Sequence, residues 1–313
     1  MTPPRITSPA GTAASRFAFG TMQFGGRADE AESAAMYDAC RSRGINFFDT
    51  AFAYGEGASE RILGALAKHE RDGLVIATKC AFPGDSKPAT IRVQFDQSRR
   101  RLGMDMIDIL YLHRWDDATP LEDTFGALAR FREAGMIRYI GVSNFSAWQT
   151  MKASHVAQGL GLGINIIQPM YNLVKRQAEV EILPMSVSEG FNVTPYSPLG
   201  GGLLTGKYAA GTGDGRLLRD AAYKARYGVG WMHETARGLA ALAAEIGTHP
   251  ATLAVAWVAR NPAVTHPLVS ARSLAQIAPS LDAMTFELSD DLFERVSALS
   301  HKPPPATDRL EEA

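Results

Sequence analysis

Apolar, β-rich runs alternate along this chain with longer segments of helical period, and this alternation constrains the fold more than any other feature. Most of the apolar runs are continuous, as expected of strands that are buried on both faces. The predicted strands cover residues 17–21, 45–49, 74–79, 107–113, 137–144, 164–169, 191–196 and 265–271. Eight such βα steps favour a closed parallel α/β barrel, the (β/α)8 TIM barrel, over an open sheet.

The helical segments lie between these strands, and two extra helices are expected towards the C-terminal end. The predicted helices cover residues 30–43, 57–68, 88–102, 121–134, 146–158, 178–189, 231–246, 250–260, 273–283 and 289–299. Cap signals stand at Ser146, Thr248 and Ser289. The long Gly-rich stretch 197–230 is expected to be a loop, and loops of this length are usually functional or disordered.

A doubly wound sheet is the alternative architecture, with a dinucleotide bound at a Gly-rich turn. No G-x-G-x-x-G follows the first predicted strand, so the sequence does not support it. A chain of 313 residues suits one barrel with insertions, and we expect a single domain over residues 1–313. Residues 302–313 are expected to form a tail of low order.

Composition and charge exclude several classes of partner. The formal net charge is −1 and no Lys/Arg block occurs, so neither nucleic acid nor an anionic membrane surface is expected to bind. No stretch approaches the roughly 20 apolar residues of a membrane span, and the first residues do not resemble a signal peptide. Cys40 and Cys80 have no metal or redox spacing and are expected to be buried thiols of a cytoplasmic protein. Histidines such as His233 and His249 form no metal spacing, so no metal is predicted.

Polar residues follow one predicted strand after another at its carboxyl end. In a parallel barrel these ends meet at one mouth, whatever their separation along the chain. The residues placed there are Asp49 with Tyr54 in the next loop, Lys79, His113, Ser143, Asn144, Gln168 and Tyr196.

Four of these residues supply the parts of a carbonyl reduction. The carbonyl oxygen needs a proton as hydride reaches the carbon, and Tyr54 can supply it. A neighbouring Lys79 is expected to lower the tyrosine pKa, while Asp49 fixes the position and charge of that lysine. His113 can orient the substrate oxygen or assist proton delivery.

Six segments resemble the aldo-keto reductase family, and they occur in the family's order. They are NFFDTAFAYGEGASERILGAL (46–66), IATK (76–79), DILYLHRWD (108–116), IRYIGVSNFS (137–146), IIQPMYNL (166–173) and TPYSPLGGGLLTGKY (194–208). The resemblance implies a barrel whose bottom is closed by an N-terminal β-hairpin, here residues 5–16. It also implies that NAD(P)H binds without a Rossmann fold.

The resemblance assigns roles to individual residues. Asp49, Tyr54, Lys79 and His113 match the catalytic tetrad, with Tyr54 as the acid in reduction and the base in oxidation. Ser143, Asn144 and Gln168 match the residues that hold the nicotinamide carboxamide, and Tyr196 matches the aromatic side chain that stacks on its ring. The further predicted cofactor contacts are Gly20, Thr21, Met22, Asp49, Ser197, Pro198, Leu199, Gly200, Gly201, Lys207, Ser270, Arg272, Gln276 and Ser280.

Within that set, the glycines of the 197–203 segment would allow close approach of the backbone to the pyrophosphate. Arg272 and Ser270 would bind the ribose 2′-phosphate, which favours NADPH over NADH. Ser270 stands where many relatives of the family have glycine. Ser280 stands where most have an asparagine against the adenine, so weaker adenine binding is expected from Ser280. One arginine among Arg216, Arg219 and Arg226 is a candidate to cover the cofactor.

The predicted function is the reversible reduction of an aldehyde or ketone, a small-molecule substrate, by NADPH. The predicted substrate contacts are Phe24, Tyr54, Phe82, His113 and Trp115, and Phe52 and Tyr227 add to an apolar or aromatic wall. One alternative is a cofactor-binding regulatory subunit of a membrane protein with little turnover. Another is a barrel enzyme in which Lys79 forms a Schiff base, although a charged lysine is a poor nucleophile. The sequence does not indicate an oligomeric state.

Overall fold

Eight short parallel strands form the centre of the molecule in a computed structural model that describes residues 2–208, 220–309 and 311. The strands are β1 (Ala18–Gly20), β2 (Phe47–Asp49), β3 (Val75–Cys80), β4 (Ile107–Leu112), β5 (Ile137–Ser143), β6 (Ile164–Gln168), β7 (Asn192–Val193) and β8 (Leu268–Val269). Their order in the sheet is β7-β6-β5-β4-β3-β2-β1-β8, with parallel pairing throughout. All eight predicted strands are confirmed. Seven are shorter than predicted, and β3 keeps the predicted length but begins and ends one residue later.

Backbone hydrogen bonds between the two outermost strands of this order close the barrel. Thr265 and His266 both donate to the Val193 carbonyl at 3.0 Å, and Leu268 donates to the Pro195 carbonyl at 3.0 Å. Closure joins the two edges of the sheet and brings all the carboxyl ends of the strands to one mouth. The predicted (β/α)8 barrel is therefore confirmed.

The helices surround the strands. They are α1 (Glu30–Ser42), α2 (Ala58–Ala67), α3 (Pro88–Leu102), α4 (Leu121–Glu133), α5 (Ala147–Gly159), α6 (Ile182–Glu189), α7 (Ala221–Tyr227), α8 (Gly230–Glu245), α9 (Pro250–Arg260), α10 (Leu274–Asp282) and α11 (Asp290–Ser297). Ser146 caps α5 in a capping box with Gln149, and Ser289 caps α11, as predicted.

Three helix predictions need correction. The helix predicted over 178–189 is split into a 3-10 turn, Gln177–Glu179, and α6, because Pro184 is compatible only with the first turn of an α-helix. His249, and not Thr248, caps α9, because Pro250 is already its first residue and the His249 ring accepts the Ala251 N–H at 3.0 Å.

Helix α7 is the third correction, since it lies inside the stretch predicted to be a loop. Asp220 caps it by accepting the N–H groups of Ala222 and Tyr223 at 3.0 and 3.3 Å. The local signal was present, because an aspartate precedes a run of good helix formers, but the neighbouring glycines obscured it. Arg216 and Arg219 of the same stretch, like residues 310, 312 and 313 of the tail, lie outside the described residues.

An N-terminal hairpin closes the bottom of the barrel, as predicted. Thr7 and Ala13 form an antiparallel bridge, and the hairpin places the buried side chain of Ile6 against the inward-facing residues of the strands. Arg138 of β5 donates to the Thr7 hydroxyl at 3.0 Å and fixes the hairpin to the barrel wall. The hairpin thus leaves the opposite end of the barrel as the side from which ligands can enter.

Three composition-based expectations can be compared with the described residues. Cys40 and Cys80 are free and buried, and burial raises the pKa of each thiol to about 12. The described ranges contain no group of three or more His, Cys, Asp or Glu side chains that could hold a metal ion. In the same ranges no single helix is long and apolar enough to cross a membrane, although α8 and α9, bent by 103°, pass that test as a pair.

Candidate active site

A buried ion pair between Asp49 and Lys79 lies at the base of the mouth. Asp49 is the last residue of β2 and Lys79 is the last but one of β3, and each side chain is only 1% exposed. The Lys79 ammonium donates to Asp49 Oδ1 and, at 2.8 Å, to the Thr50 carbonyl. Because β2 and β3 are paired neighbours, the barrel itself brings the two charges together.

Tyr54 stands directly over this pair. The Lys79 Nζ atom lies 5.0 Å from the centroid of the Tyr54 ring. Tyr54 begins a tight turn, Tyr54–Gly57, in which Gly55 and Gly57 have positive φ values of 54° and 87°. Glycine adopts this backbone at little cost, so the turn can carry the tyrosine from the strand end to a position above the lysine.

The electrostatics of Tyr54 differ from the expected direction. Burial raises the pKa of the phenol above its ordinary value, and this outweighs the lowering by the Lys79 charge and its hydrogen bond. For Lys79, burial alone would lower the pKa, but Asp49 and Tyr54 outweigh burial and the pKa is raised. The lysine is therefore charged and the phenol is protonated at neutral pH.

His113 follows β4 and lies beside Tyr54, with ring centroids 5.9 Å apart and the rings nearly perpendicular. Burial, with the nearby charges of Lys79 and Arg114, lowers the pKa of His113 to about 3. The imidazole is therefore neutral, and it can act as a hydrogen-bond partner rather than as a cation. Its Nδ1 atom is buried and has no hydrogen-bond partner among the described residues.

The four residues predicted to hold the nicotinamide form one hydrogen-bonded cluster. Asn144, which has a φ of 58°, donates through Nδ2 to the His113 carbonyl at 2.9 Å and to Ser143 Oγ at 3.1 Å. The Tyr196 hydroxyl donates to Asn144 Oδ1 at 2.7 Å, and Ser143 Oγ donates to the Gln168 carbonyl at 3.0 Å. The barrel therefore brings together residues from the ends of three strands and from the segment after β7.

Gln168 joins this cluster to the ion pair. Its Nε2 atom donates to Asp49 Oδ2 at 3.0 Å, so both carboxylate oxygens of Asp49 have a donor. The sequence placed both residues at the mouth, but it carried no signal for this contact. One continuous set of hydrogen bonds thus runs from Asn144 through Ser143 and Gln168 to the charged pair.

The segment after β7 has the backbone expected of a close approach to a ligand. Ser197, Gly200 and Gly201 all have positive φ values, and a Cβ atom on Gly201 would lie 2.7 Å from the Tyr223 ring. A Cβ atom on Gly202 would lie 2.8 Å from Lys207 Nζ, so this predicted basic contact does belong to the glycine segment. Pro198 is buried and Leu199 is half-buried.

Residues that sequence reasoning missed support this segment. Asn172 donates to the Ser197 carbonyl at 2.9 Å. On α7, the ring of Tyr223 packs against Gly201, and the Arg226 guanidinium lies 5.2 Å from the Tyr223 ring. The Arg226 charge also lowers the pKa of Tyr196, although burial dominates and raises it to about 12. Of the three arginine candidates, only Arg226 lies within the described residues, and it lies near the mouth.

The residues predicted to bind the adenosine phosphate lie before α10 and within it. Ser270 and Arg272 are half-buried before the helix, and Gln276 is exposed on its first turn. Ser280 is 0% exposed and its hydroxyl is buried without a hydrogen-bond partner among the described residues, so it is not solvent-facing.

Some predicted contacts point elsewhere. Thr21 is buried, and its hydroxyl forms hydrogen bonds with the Asp49 carbonyl and with Ser59 Oγ. Its side chain therefore holds the backbone at Asp49 and does not face the mouth. Gly20 is buried beside it, whereas Met22 is exposed. Phe24, predicted to line the substrate pocket, is 0% exposed and packs on Phe19 with a 5.7 Å centroid separation. The structure therefore places Phe24 in the core.

The two remaining predicted substrate residues, Phe82 and Trp115, each pack against another aromatic ring. The Phe82 ring is 5.4 Å from the His113 ring, and Phe82 is partly exposed. Trp115 packs against Phe145 and Trp148 at 5.2 and 5.6 Å. Trp148, on the first turn of α5, is 60% exposed and was not predicted.

This geometry agrees with comparison to known proteins. The family profile described as "Aldo/keto reductase family" matches residues 16–301.

The chain belongs to the aldo/keto reductase family.

Several relatives of this aldo/keto reductase match over most of its length. A probable voltage-gated potassium channel subunit beta of Oryza sativa subsp. japonica is 34% identical over 96% of this chain and 97% of its own. The uncharacterized oxidoreductase YrpG of Bacillus subtilis is 31% identical over 92% of each chain. Aflatoxin B1 aldehyde reductase member 2 of Homo sapiens is 38% identical over 68% of this chain and 59% of its own. The family, together with the oxidoreductase and the reductase among these relatives, supports an oxidoreductase role.

Proposed function

We propose that this aldo/keto reductase reduces an aldehyde or ketone to the alcohol, with NADPH as the hydride source and Tyr54 as the proton donor. The observation that carries the proposal is the buried Asp49–Lys79 pair beneath the Tyr54 ring, with a neutral His113 beside it. A bound NADPH would supply the hydride, and every other part is a side chain of this protein.

Proton transfer depends on three of these side chains. Tyr54 holds its proton at neutral pH, because burial raises its pKa. When the substrate oxygen gains negative charge, the phenol gives up that proton, and the Lys79 charge stabilises the phenolate that remains. Asp49 keeps Lys79 charged and in place, since it raises the lysine pKa against the effect of burial.

His113 orients the substrate in this proposal. A neutral imidazole can donate one hydrogen bond to the carbonyl oxygen without competing with Tyr54 as an acid. Its low pKa keeps it neutral throughout the physiological range. The partly exposed Phe82 ring beside it favours a substrate with an apolar or aromatic group next to the carbonyl.

The residues present fit a nicotinamide dinucleotide. The Ser143, Asn144 and Gln168 side chains offer donors and acceptors at the mouth, and Gly200 and Gly201 have the positive φ values that glycine adopts at little cost. Arg272 forms no ion pair or hydrogen bond with any described residue, so its guanidinium is available for a phosphate. We therefore propose that these residues hold the cofactor and that Arg272 favours NADPH over NADH.

The charge state of Lys79 also bears on the Schiff-base alternative. A nucleophilic lysine must be neutral, whereas the Asp49 contact raises the Lys79 pKa. This favours the reductase. Borohydride trapping of a carbonyl substrate on Lys79 would contradict it.

The test is the loss of NADPH absorbance with a panel of aldehydes and ketones. We expect Tyr54→Phe to lower kcat by about 10²-fold or more, because the proton donor is lost, while the Kd for NADPH changes little. Tyr139→Phe is the matched control, since that hydroxyl contacts Thr7 at the closed end of the barrel. Full turnover by Tyr54→Phe would refute the acid role.

A regulatory subunit is the second candidate function. It is favoured by the relatives described as probable potassium channel beta subunits, in Oryza sativa and, at 35% identity, in Arabidopsis thaliana. Such a subunit would bind NADPH with little turnover on any carbonyl. Tight NADPH binding combined with undetectable turnover over the panel would therefore shift the assignment to this candidate.

Two further expectations stay predictions. One is that residues 1–313 form a single domain, and the other is that the protein acts in the cytoplasm. The two free cysteines are compatible with a reducing compartment. Limited proteolysis and fractionation of cells that express the tagged protein would test them.

A further inference from the structure

The carboxylate of Glu32 lies at the helix end where the 2′-phosphate is proposed to bind. Glu32 belongs to the first turn of α1, and its Oε2 atom accepts the backbone N–H of Leu274, the first residue of α10, at 2.9 Å. Arg43, just after α1, and Asp282, at the end of α10, form an ion pair at 3.1 Å. The two helices therefore run side by side in the same direction, with their N-termini together at the mouth.

Glu32 supplies the cap that α10 lacks. Ser273 occupies the N-cap position of α10, but its side chain makes no capping hydrogen bond. The Glu32 backbone is itself held, because Asp29 caps α1 by accepting the Glu32 N–H at 2.9 Å. A carboxylate is favoured at this point, since the N-termini of both helices carry partial positive charge.

Arg272 lies two residues before Leu274, yet the Glu32 carboxylate does not form an ion pair with it. Within the described ranges the Arg272 guanidinium has neither an ion pair nor a hydrogen bond. The helix end thus presents one available cation and one fixed anion. A phosphate that binds to Arg272 and to α10 must come close to the Glu32 carboxylate.

We propose that Glu32 determines cofactor specificity, as an internal anion that opposes the 2′-phosphate of NADPH at the N-terminus of α10. This proposal rests on the proposed function, in which Arg272 binds that phosphate. NAD(H), which has a ribose hydroxyl at this position, meets no such repulsion. The preference between the two dinucleotides is therefore the balance between attraction by Arg272 and repulsion by Glu32.

The test is isothermal titration of the full chain with NADP⁺ and with NAD⁺, which does not depend on turnover. Glu32→Gln removes the charge and keeps an oxygen that can accept the Leu274 N–H, so the cap is retained. Two unit charges about 6 Å apart in a partly solvated site repel enough to change a Kd about 3- to 10-fold. We expect Glu32→Gln to lower the Kd for NADP⁺ by that factor, and to change the Kd for NAD⁺ by less than about 2-fold.

The matched control is Glu30→Gln. Glu30 lies in the same first turn of α1 and is exposed, and it makes no hydrogen bond or ion pair with the described residues of α10. Glu30→Gln removes the same charge, and it should leave the affinities for NADP⁺ and NAD⁺ within about 2-fold of the wild type, because exposed charges are well screened. The Glu32→Gln gain should also shrink in high salt, and thermal melting of both variants should show that the fold is intact.

Two results would overturn the proposal. An unchanged NADP⁺ Kd in Glu32→Gln would show that no repulsion exists, and weaker NAD⁺ binding alone would show that Glu32 binds the ribose instead. Arg272→Ala separates this failure from failure of the proposed function. If Arg272→Ala weakens NADP⁺ selectively but Glu32→Gln does nothing, only the Glu32 proposal fails, whereas no dinucleotide binding by the wild type would overturn both.

Discussion

Replacing Lys79 by methionine should destabilise the protein far more than replacing an exposed lysine. Lys79→Met keeps a long apolar stem and removes the ammonium group. Asp49, only 1% exposed, then keeps a single side-chain donor, Gln168 Nε2 at 3.0 Å. Leaving one charge of a buried pair uncompensated costs about 3–5 kcal/mol in the free energy of unfolding.

The same reasoning predicts strong coupling between the two residues. Asp49→Asn alone leaves the buried Lys79 charge without its counter-ion and with neutral oxygens, such as the Thr50 carbonyl, as acceptors, so it should also be costly. In the double variant neither charge remains, and the combined loss should be smaller than the sum of the two single losses by at least about 2 kcal/mol.

The assay is unfolding followed by far-UV circular dichroism, in urea and on heating at pH 7. A loss of 3–5 kcal/mol corresponds to a fall in Tm of about 5–10 °C for a chain of this size. Lys152→Met on the exposed side of α5 is the control, and it should lie within about 0.5 kcal/mol of the wild type. Additive losses, or a Lys79→Met variant as stable as the control, would refute the buried-pair argument.

Two further predictions concern packing and pH. Gly64→Ala should cost about 1–3 kcal/mol, because its Cβ would lie 2.3 Å from the Leu102 backbone carbonyl, whereas Gly126→Ala has open space and should stabilise α4 by up to about 1 kcal/mol. Urea midpoints of the two variants compare them directly, and equal midpoints would contradict the close approach of α2 to the end of α3. Burial lowers the pKa of His266 to about 4, so the unfolded chain binds a proton below about pH 6.5 that the native protein does not. Stability is therefore complete above that pH and is lost as the pH falls, and His266→Gln should reduce the slope by about 1 kcal/mol per pH unit between about pH 6 and 4.5. Parallel slopes for the two proteins would show that His266 is not the titrating group.

The barrel could be predicted because its strands are buried on both faces. Continuous apolar runs such as 109–112 in β4 arise from that burial and are visible without any knowledge of the partners. Strand ends could not be predicted as well, because the last hydrogen bonds depend on the neighbouring strand. The predicted strand 191–196 keeps only Asn192–Val193 as β7. The remaining residues 194–196 form backbone hydrogen bonds with Ile167, Pro169, Tyr171 and Leu268.

The position of the proposed catalytic residues also follows from the sequence, since the carboxyl ends of parallel strands meet at one mouth. The direction of each side chain does not. Phe24 and Thr21 follow β1 as predicted, yet both side chains are buried. Phe24 packs in the hydrophobic core, and the Thr21 hydroxyl forms a hydrogen bond with the Ser59 hydroxyl. The pKa of Tyr54 rises rather than falls because the phenol is buried. The extent of that burial depends on all the residues that pack around the ring, which the sequence does not reveal.

Sequence alone thus determined the architecture, the identity of the residues at the mouth and the family resemblance, because these depend on local pattern and strand order. Tertiary structure alone decided which of those residues touch. Gln168 meets Asp49 across 119 positions of sequence, and Glu32 meets Leu274 across 242. Neither contact leaves a periodic signal in the chain, since each depends on how β-strands and helices that are distant in sequence pack around a closed barrel.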